Sequence, residues 1–246
     1  MSFRDHFSRA AAGYASFRPH YPDALFDFVA ARAPGLDLAW DCGTGSGQAA
    51  LGLAHHFKRV VATDASATQI AHATPHSAVE YRVAPAERSG LADRSVDLVT
   101  AAQALHWFDI AAFWAEVRRV LVPGGVLAVW CYDLLEVGPD VDRILRRFYS
   151  ETVGPFWPPE RRLVETGYRT VPFPFVELPV PTFGMEHAMT LSQLGGYVRT
   201  WSATIRYMDA RGRDPVDALL EELAPLWGEA RTTRWPLAVR AGRQPV

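Results

Sequence analysis

Between residues 36 and 135 short apolar strand patterns alternate with helical patterns, which predicts an α/β fold, doubly wound around a mainly parallel sheet. Two further observations point the same way. Three glycines at alternate positions, Gly43, Gly45 and Gly47, stand directly between a strand pattern and a helix pattern. An acid, Asp64, closes the following strand pattern. In open sheets of this class the ligand lies outside the carboxyl ends of the strands, where such turns and acids collect.

Each element has its own signal. Pro22 suits the first position of a helix, and Leu25, Phe28, Val29 and Arg32 follow at helical spacing until Pro34-Gly35 ends the segment. Residues 38–42 read as a strand and 47–57 as a helix. Residues 59–63, rich in valine, read as a strand, and 66–73 as a short helix that Ser66 can cap. Strands are expected over 79–83 and 96–101. Residues 110–121 place Phe113, Trp114, Val117 and Val120 on one side of a helix. Pro123-Gly124-Gly125 breaks it, and 126–132 is an apolar strand. Beyond this point the regularity fades. Residues 140–152, 191–205 and 216–227 look helical, 154–183 are rich in proline and aromatic residues with a strand expected near 176–183, and 235–239 read as a last edge strand. Residues 1–21 mix aromatic and arginine side chains, as a short helix and loop packed onto something would. The expectation is one domain over 1–246, with an N-terminal lid and first helix in 1–35, a ligand-binding core in 36–135, and a less regular part in 136–246 that adds the last strands.

Composition excludes several classes. The chain has 246 residues, 49% of them hydrophobic, and a net charge of -2, so it carries no polyelectrolyte signal for nucleic acid. No run of about 18 apolar residues occurs, so no membrane span is expected. The N-terminal residues lack a signal-peptide pattern, and Cys42 and Cys131 fall in strand patterns as buried, reduced thiols. A cytoplasmic location is the expectation. No histidine, cysteine or acid cluster has metal-ligand spacing, so no metal is expected.

The glycine turn carries the chemistry. The dinucleotide fingerprint places its third glycine one position later than Gly47, where this chain has Gln48. Asp41, just before the turn, separates two kinds of nucleotide-like ligand. A pyrophosphate about 4 Å from a carboxylate is repelled by roughly 1 kcal/mol in water and about 4 kcal/mol at an effective dielectric near 20. A ligand with an ammonium group is attracted by a similar amount. S-adenosylmethionine has that ammonium and no phosphate. The plainer role for Asp41 is to bind the turn itself, and for Asp64 to cap the helix that follows; both stay open at this point.

With these residues in place the chain resembles the class I S-adenosylmethionine-dependent methyltransferases of small-molecule type. The resemblance rests on Asp41 to Gly47, on Asp64, on Asp97-Leu98-Val99 followed by Gln103-Ala104-Leu105-His106-Trp107-Phe108, and on Leu121 to Gly125. The Gln103–Phe108 block and the segment from Tyr14 through Arg18 to Pro22 are similar to the methyltransferase type 11 subgroup that contains trans-aconitate methyltransferase-like enzymes. Trp201-Ser202-Ala203 resembles it more weakly.

The resemblance implies a Rossmann-like sheet of seven strands with helices on both faces and an antiparallel strand at the edge. It implies that Gly43, Thr44 and Gly45 line the methionine part of S-adenosylmethionine, with Asp41 near the amino group. Asp64 would take the ribose hydroxyls and Ala65 lie beside the adenine. Ala86 and Glu87 fall where the family contacts adenine, although Pro85 replaces the acid common just before them. Gln103 and Ala104 would face the carboxylate and sulfonium region, and Tyr14 and Arg18 would close over the cofactor as a lid. His106 and Trp107 are the candidates for orienting or deprotonating the acceptor, or else an aromatic cluster that packs the next helix. Trp107, Trp201, Arg206 and Tyr207 would line the acceptor side. The implied activity is in-line methyl transfer to a small-molecule acceptor, a carboxylic acid by the subgroup. The alternatives are an NAD(P)-dependent oxidoreductase and a non-catalytic S-adenosylmethionine-binding protein. The first lacks its Tyr-x-x-x-Lys pair, because Lys58 is the only lysine.

Overall fold

The computed structural model describes residues 20–245. Its centre is an eight-stranded sheet. The strands are β1 (Leu38–Cys42), β2 (Arg59–Asp64), β3 (Val79–Val83), β4 (Val96–Ala102), β5 (Leu121–Tyr132), β6 (Val176–Glu177), β7 (Phe183–Met189) and β8 (Arg231–Arg243). The order runs β3-β2-β1-β4-β5-β8, and both β6 and β7 pair with β8. The first five strands are parallel to one another, and β8 runs antiparallel to β5.

The strand sequences explain why both faces are covered. Side chains alternate between faces along a strand. Ala39, Val60, Leu98 and Val126 fall in one core, whereas their neighbours Trp40, Val61, Val99 and Leu127 fall in the other. A strand buried on both faces reads as a near-continuous apolar run, as residues 38–40, 60–62 and 126–131 do. The first core holds helices α1 (Asp23–Ala30) and α2 (Gln48–Leu53) through Leu25, Val29 and Leu53. The second core holds α4 (Ile110–Val120) through Phe113, Val117 and Val120. The short α3 (Ala67–Ala71) lies between β2 and β3, and the Ser66 hydroxyl accepts from the Gln69 backbone N–H as its cap.

Three expectations are amended. The antiparallel strand is interior rather than at the edge, because β8 is long enough to pair with β5 through Leu237–Arg243 and with β7 through Arg231–Leu237. This adds an eighth strand. The single helix expected over 191–205 is two, α7 (Leu191–Arg199) and α8 (Ser202–Arg211), which follow α5 (Pro139–Arg147) and α6 (Arg161–Glu165) and precede α9 (Val216–Trp227). The break has a local cause. The Thr200 hydroxyl donates to the Tyr197 carbonyl at 2.6 Å, and Trp201 turns to extended backbone, ψ 135°, to bury its ring. Finally, Pro123-Gly124-Gly125 lies inside β5, where the register against β4 shifts between Val96 and Leu98. Among the described residues no helix is long and apolar enough to cross a membrane.

The order β2-β1-β4 positions the site. The chain builds outward from β1 to β3, then returns to the other side of β1 with β4. The carboxyl ends of β1 and β4 therefore diverge at a topological switch point, where a crevice opens.

Candidate functional site

The turn after β1 is shaped by backbone that only glycine adopts freely. Gly43, Gly45 and Gly47 all have left-handed φ, 67°, 56° and 93°. A side chain on Gly43 would strike Ala104 and the Phe108 ring, and one on Gly47 would strike the Tyr81 ring. At Gly45 it would meet only Gln69 Oε1, at 3.9 Å. The middle of the turn is thus open where its two ends are closely packed. The Thr44 backbone N–H donates to the Thr63 carbonyl at 3.0 Å, and the Gly45 N–H to Asp64 Oδ2 at 2.9 Å. The turn is in this way joined to the end of β2.

Two carboxylates flank it, in different states. Asp41 is fully buried at the end of β1. Its oxygens accept from the Thr44 hydroxyl at 2.6 Å and the Thr100 hydroxyl at 2.7 Å. Burial pushes its carboxyl up to about 6, against the pull of those two hydroxyls. Asp64 is half-buried and accepts from the Ser66 N–H at 2.8 Å as well as from Gly45. Asp41 therefore binds the turn, as its plain role requires, whereas Asp64 ties the β2 end to the turn and the cap of the next helix is Ser66. Neither uses up a carboxylate, since each oxygen can accept more than one bond. An open glycine turn above a buried acid suits a ligand that brings positive charge rather than phosphate.

The remaining cofactor candidates divide. Ala65 lies between Asp64 and the capped start of α3. Ala86 is buried, and Glu87 Oε1 accepts from the Asp109 N–H at 2.9 Å, which holds the segment leading into α4. Gln103 has a left-handed φ of 54°. Its side-chain amide pairs reciprocally with the Tyr132 backbone, donating to the carbonyl at 3.1 Å and accepting from the N–H at 2.8 Å. It thereby extends the β4–β5 pairing by one side chain at the crevice. Ala104 packs under Gly43. Tyr14 and Arg18 lie outside the described residues.

A cavity opens beside the ends of β4 and β5. Gln103, His106, Trp107 and Trp201 line it. Arg206 and Tyr207 do not. Tyr207 packs against Phe156, and its hydroxyl accepts from Arg213 Nε at 3.1 Å. Sequence reasoning missed Asp133, Trp157, Arg161 and Tyr197 in the lining. Arg161 is ion-paired with Asp133, donates through Nε to the Tyr149 hydroxyl at 2.9 Å, and lies 4.7 Å over the Trp157 ring. The signal available was the density of aromatic residues and arginines around 157–162, which carries no periodicity to assign it to a site. Among the described residues no group of three or more His, Cys, Asp or Glu is placed to hold a metal.

Comparison with known proteins adds a second line. A family model described as a methyltransferase domain matches residues 40–129. A protein of Dictyostelium discoideum named as a methyltransferase is 34% identical over 225 residues, which cover 90% of this chain and 86% of that one. A solved structure described as a type II methyltransferase of Anaeromyxobacter dehalogenans superposes with a TM-score of 0.88 at 47% identity, over 94% of this chain and 100% of that one. Phosphoethanolamine N-methyltransferase 2 of Haemonchus contortus, solved with S-adenosyl-L-methionine, shares the fold at a TM-score of 0.52 and 16% identity, over 100% of this chain and 60% of that one.

Proposed function

The chain belongs to the methyltransferase family, and from that premise we propose that it transfers the methyl group of S-adenosylmethionine to a small-molecule acceptor. The observation that carries the choice of donor is the open turn at Gly45, with buried Asp41 behind it and Asp64 bonded across it. When bound there, S-adenosylmethionine supplies a methyl group already activated on its sulfonium. The protein then has to align donor and acceptor and exclude water, and effects of this kind are worth about 7–11 kcal/mol in well-oriented reactions. Gly43, Thr44 and Gly45 would hold the methionine part, with the field of Asp41 favouring its ammonium. Asp64 would receive the ribose hydroxyls, and Ala65 and Ala86 would face the adenine.

The acceptor would lie in the cavity of Gln103, His106, Trp107 and Trp201, beside Arg161. A small carboxylic acid is the acceptor class we favour. The resemblance to the trans-aconitate methyltransferase-like subgroup supports it, and so does a guanidinium in the cavity wall, which recognises carboxylates well. A carboxylate attacks the methyl directly and has no proton to give up. The same reading makes this a cytoplasmic enzyme of small metabolites that acts on neither nucleic acid nor membrane.

The test has two parts. Calorimetric titration with S-adenosylmethionine and with NADH is expected to show binding of the first alone; binding of NADH alone would replace this reading with an oxidoreductase. Incubation with methyl-labelled S-adenosylmethionine and a metabolite extract is expected to yield a labelled small product. Tight binding without any labelled product would leave a cofactor-binding protein with no transfer activity.

A further inference from the structure

His106 lines the cavity, and its ring is held from behind by a residue the sequence does not single out. His106 Nδ1 lies 2.9 Å from the Tyr168 hydroxyl, and the two rings stack with centroids 6.2 Å apart and planes 28° from parallel. Tyr168 is fully buried. It also holds a left-handed backbone, φ 58°, which costs a bulky residue about 1–2 kcal/mol. Such strain persists only where the surroundings over-determine it. Here they do. Helix α6 ends with the Gly167 N–H on the Val164 carbonyl and the Tyr168 N–H on the Leu163 carbonyl, and Arg240 Nη1 donates to the Tyr168 carbonyl at 2.9 Å. The strained backbone delivers the phenol to the imidazole.

The direction of that hydrogen bond can be worked out. Burial holds the phenol far above its ordinary range, so it keeps its hydrogen. A buried hydroxyl hydrogen without an acceptor costs about 1–3 kcal/mol, and Nδ1 lies within reach of it at 2.9 Å. With the hydroxyl donating to Nδ1, a neutral imidazole carries its proton on Nε2.

We propose that Tyr168 is a positioning residue that holds His106 as the Nε2–H tautomer, so that His106 meets the acceptor as a hydrogen-bond donor and not as a base. The functional half of this rests on the cavity being the acceptor site of a methyltransferase; the tautomer does not. A donor at this place orients an acceptor by a lone pair and takes no proton from it. The acceptor it suits brings an oxygen that has no proton to lose on methylation.

The full chain with nitrogen-15 histidine, alone and with S-adenosylhomocysteine, gives the direct test by NMR. The expected spectrum has His106 Nδ1 unprotonated and Nε2 protonated near neutral pH. Tyr168→Phe is expected to release this preference and move both signals toward a tautomer average. A protonated Nδ1 in the wild type, or His106 signals unmoved by Tyr168→Phe, would overturn the proposal whether or not the protein is a methyltransferase. Transfer of label to the metabolite extract tests the functional half. Gln places its amide N–H near the position of Nε2 and Asn near that of Nδ1. His106→Gln is expected to lose about tenfold in rate and His106→Asn more than about a hundredfold; a base role predicts that both lose about 10²–10⁴-fold. Equal collapse of the two would overturn the donor role. No label transfer by the wild type would instead reject the methyltransferase reading, with the spectra still deciding the tautomer.

Discussion

Asp64 Oδ2 accepts from the Gly45 N–H at 2.9 Å, so the carboxylate closing β2 also fixes the middle of the turn after β1. This one contact joins the proposed ribose acceptor to the proposed methionine cradle. Removal of the carboxylate is therefore expected to act twice. Asp64→Ala frees the Gly45 and Ser66 amides and removes a charged acceptor from the ligand. Hydrogen bonds to charged groups are worth about 1.5–3 kcal/mol each. We expect S-adenosylmethionine to bind about 10- to 100-fold more weakly by calorimetry. Asp64→Asn keeps one oxygen acceptor and is expected to fall between. Unchanged affinity in Asp64→Ala would remove Asp64 from the site.

Asp41 sets stability and binding against each other. Its carboxyl rises from 3.8 to about 6 on burial, so the folded chain holds this proton more tightly than the unfolded chain does. Rising pH between about 4 and 6 therefore lowers stability, by on the order of 3 kcal/mol once complete. Other carboxylates add their own slopes, so the comparison is with Asp41→Asn, which removes this one. The variant is expected to melt at or above the wild type at pH 7, and the difference to shrink toward pH 4. Binding is expected to move the other way. The ionised carboxylate attracts the ligand's ammonium, so wild-type affinity falls as pH drops below about 6, whereas Asp41→Asn binds weakly at every pH. Melting curves and calorimetry at pH 5, 6 and 7.5 check both. A variant that lost stability and affinity together at pH 7.5 would make Asp41 a structural acid only.

The sheet was legible because its strands are buried on both faces and separated by helices with a clear apolar side. Trp40 and Ala39 belong to different cores, yet both are apolar, and that continuity marks β1 without knowledge of its partners. The glycine turn was legible because left-handed backbone demands glycine at fixed positions. The acceptor side was not. Trp201 was found by resemblance, but the helix break that turns it inward depends on one Thr200 hydroxyl and on burial against Phe148, Trp157 and Tyr197. Arg161 and Asp133 are 28 residues apart and meet only through the tertiary fold. Tyr168 lies 62 residues from His106, in backbone that no propensity rule assigns to tyrosine. Arg206 and Tyr207 belong to α8 and stand off the cavity lining.

The three turn glycines are expected to differ although their φ values are alike. At Gly47 a new Cβ would lie 2.2 Å from the Tyr81 hydroxyl oxygen, whose hydrogen bonds the Thr74 carbonyl. At Gly45 there is space, and only the backbone conformation resists, at about 1–2 kcal/mol. With about 2–4 °C of melting temperature per kcal/mol in a chain of this size, Gly45→Ala is expected to melt within about 8 °C of the wild type. Gly47→Ala, which must also displace Tyr81, is expected to melt lower still. Gly45→Ala should nonetheless lose S-adenosylmethionine binding, because its methyl group enters the open part of the turn. Retained binding in a folded Gly45→Ala protein would place the ligand elsewhere.

Arg161 and Asp133 offer the last separation, between holding the fold and serving the reaction. Arg161 is 14% exposed and Asp133 44%. Loss of one partner from a fully buried pair costs about 3–5 kcal/mol; here water still reaches Asp133, so the cost of Arg161→Ala should be smaller, about 1–3 kcal/mol. Arg161→Lys keeps the charge but cannot reach Asp133 and the Tyr149 hydroxyl through one rigid fork, so it is expected to recover little. Replacement of both partners by apolar residues of similar volume, Arg161→Met with Asp133→Leu, is expected to restore the melting temperature to near that of the wild type. It should not restore methyl transfer to the extract, because the guanidinium that seats the carboxylate is gone. If the double variant labelled the same product at the wild-type rate, Arg161 would be a packing residue with no part in seating the acceptor.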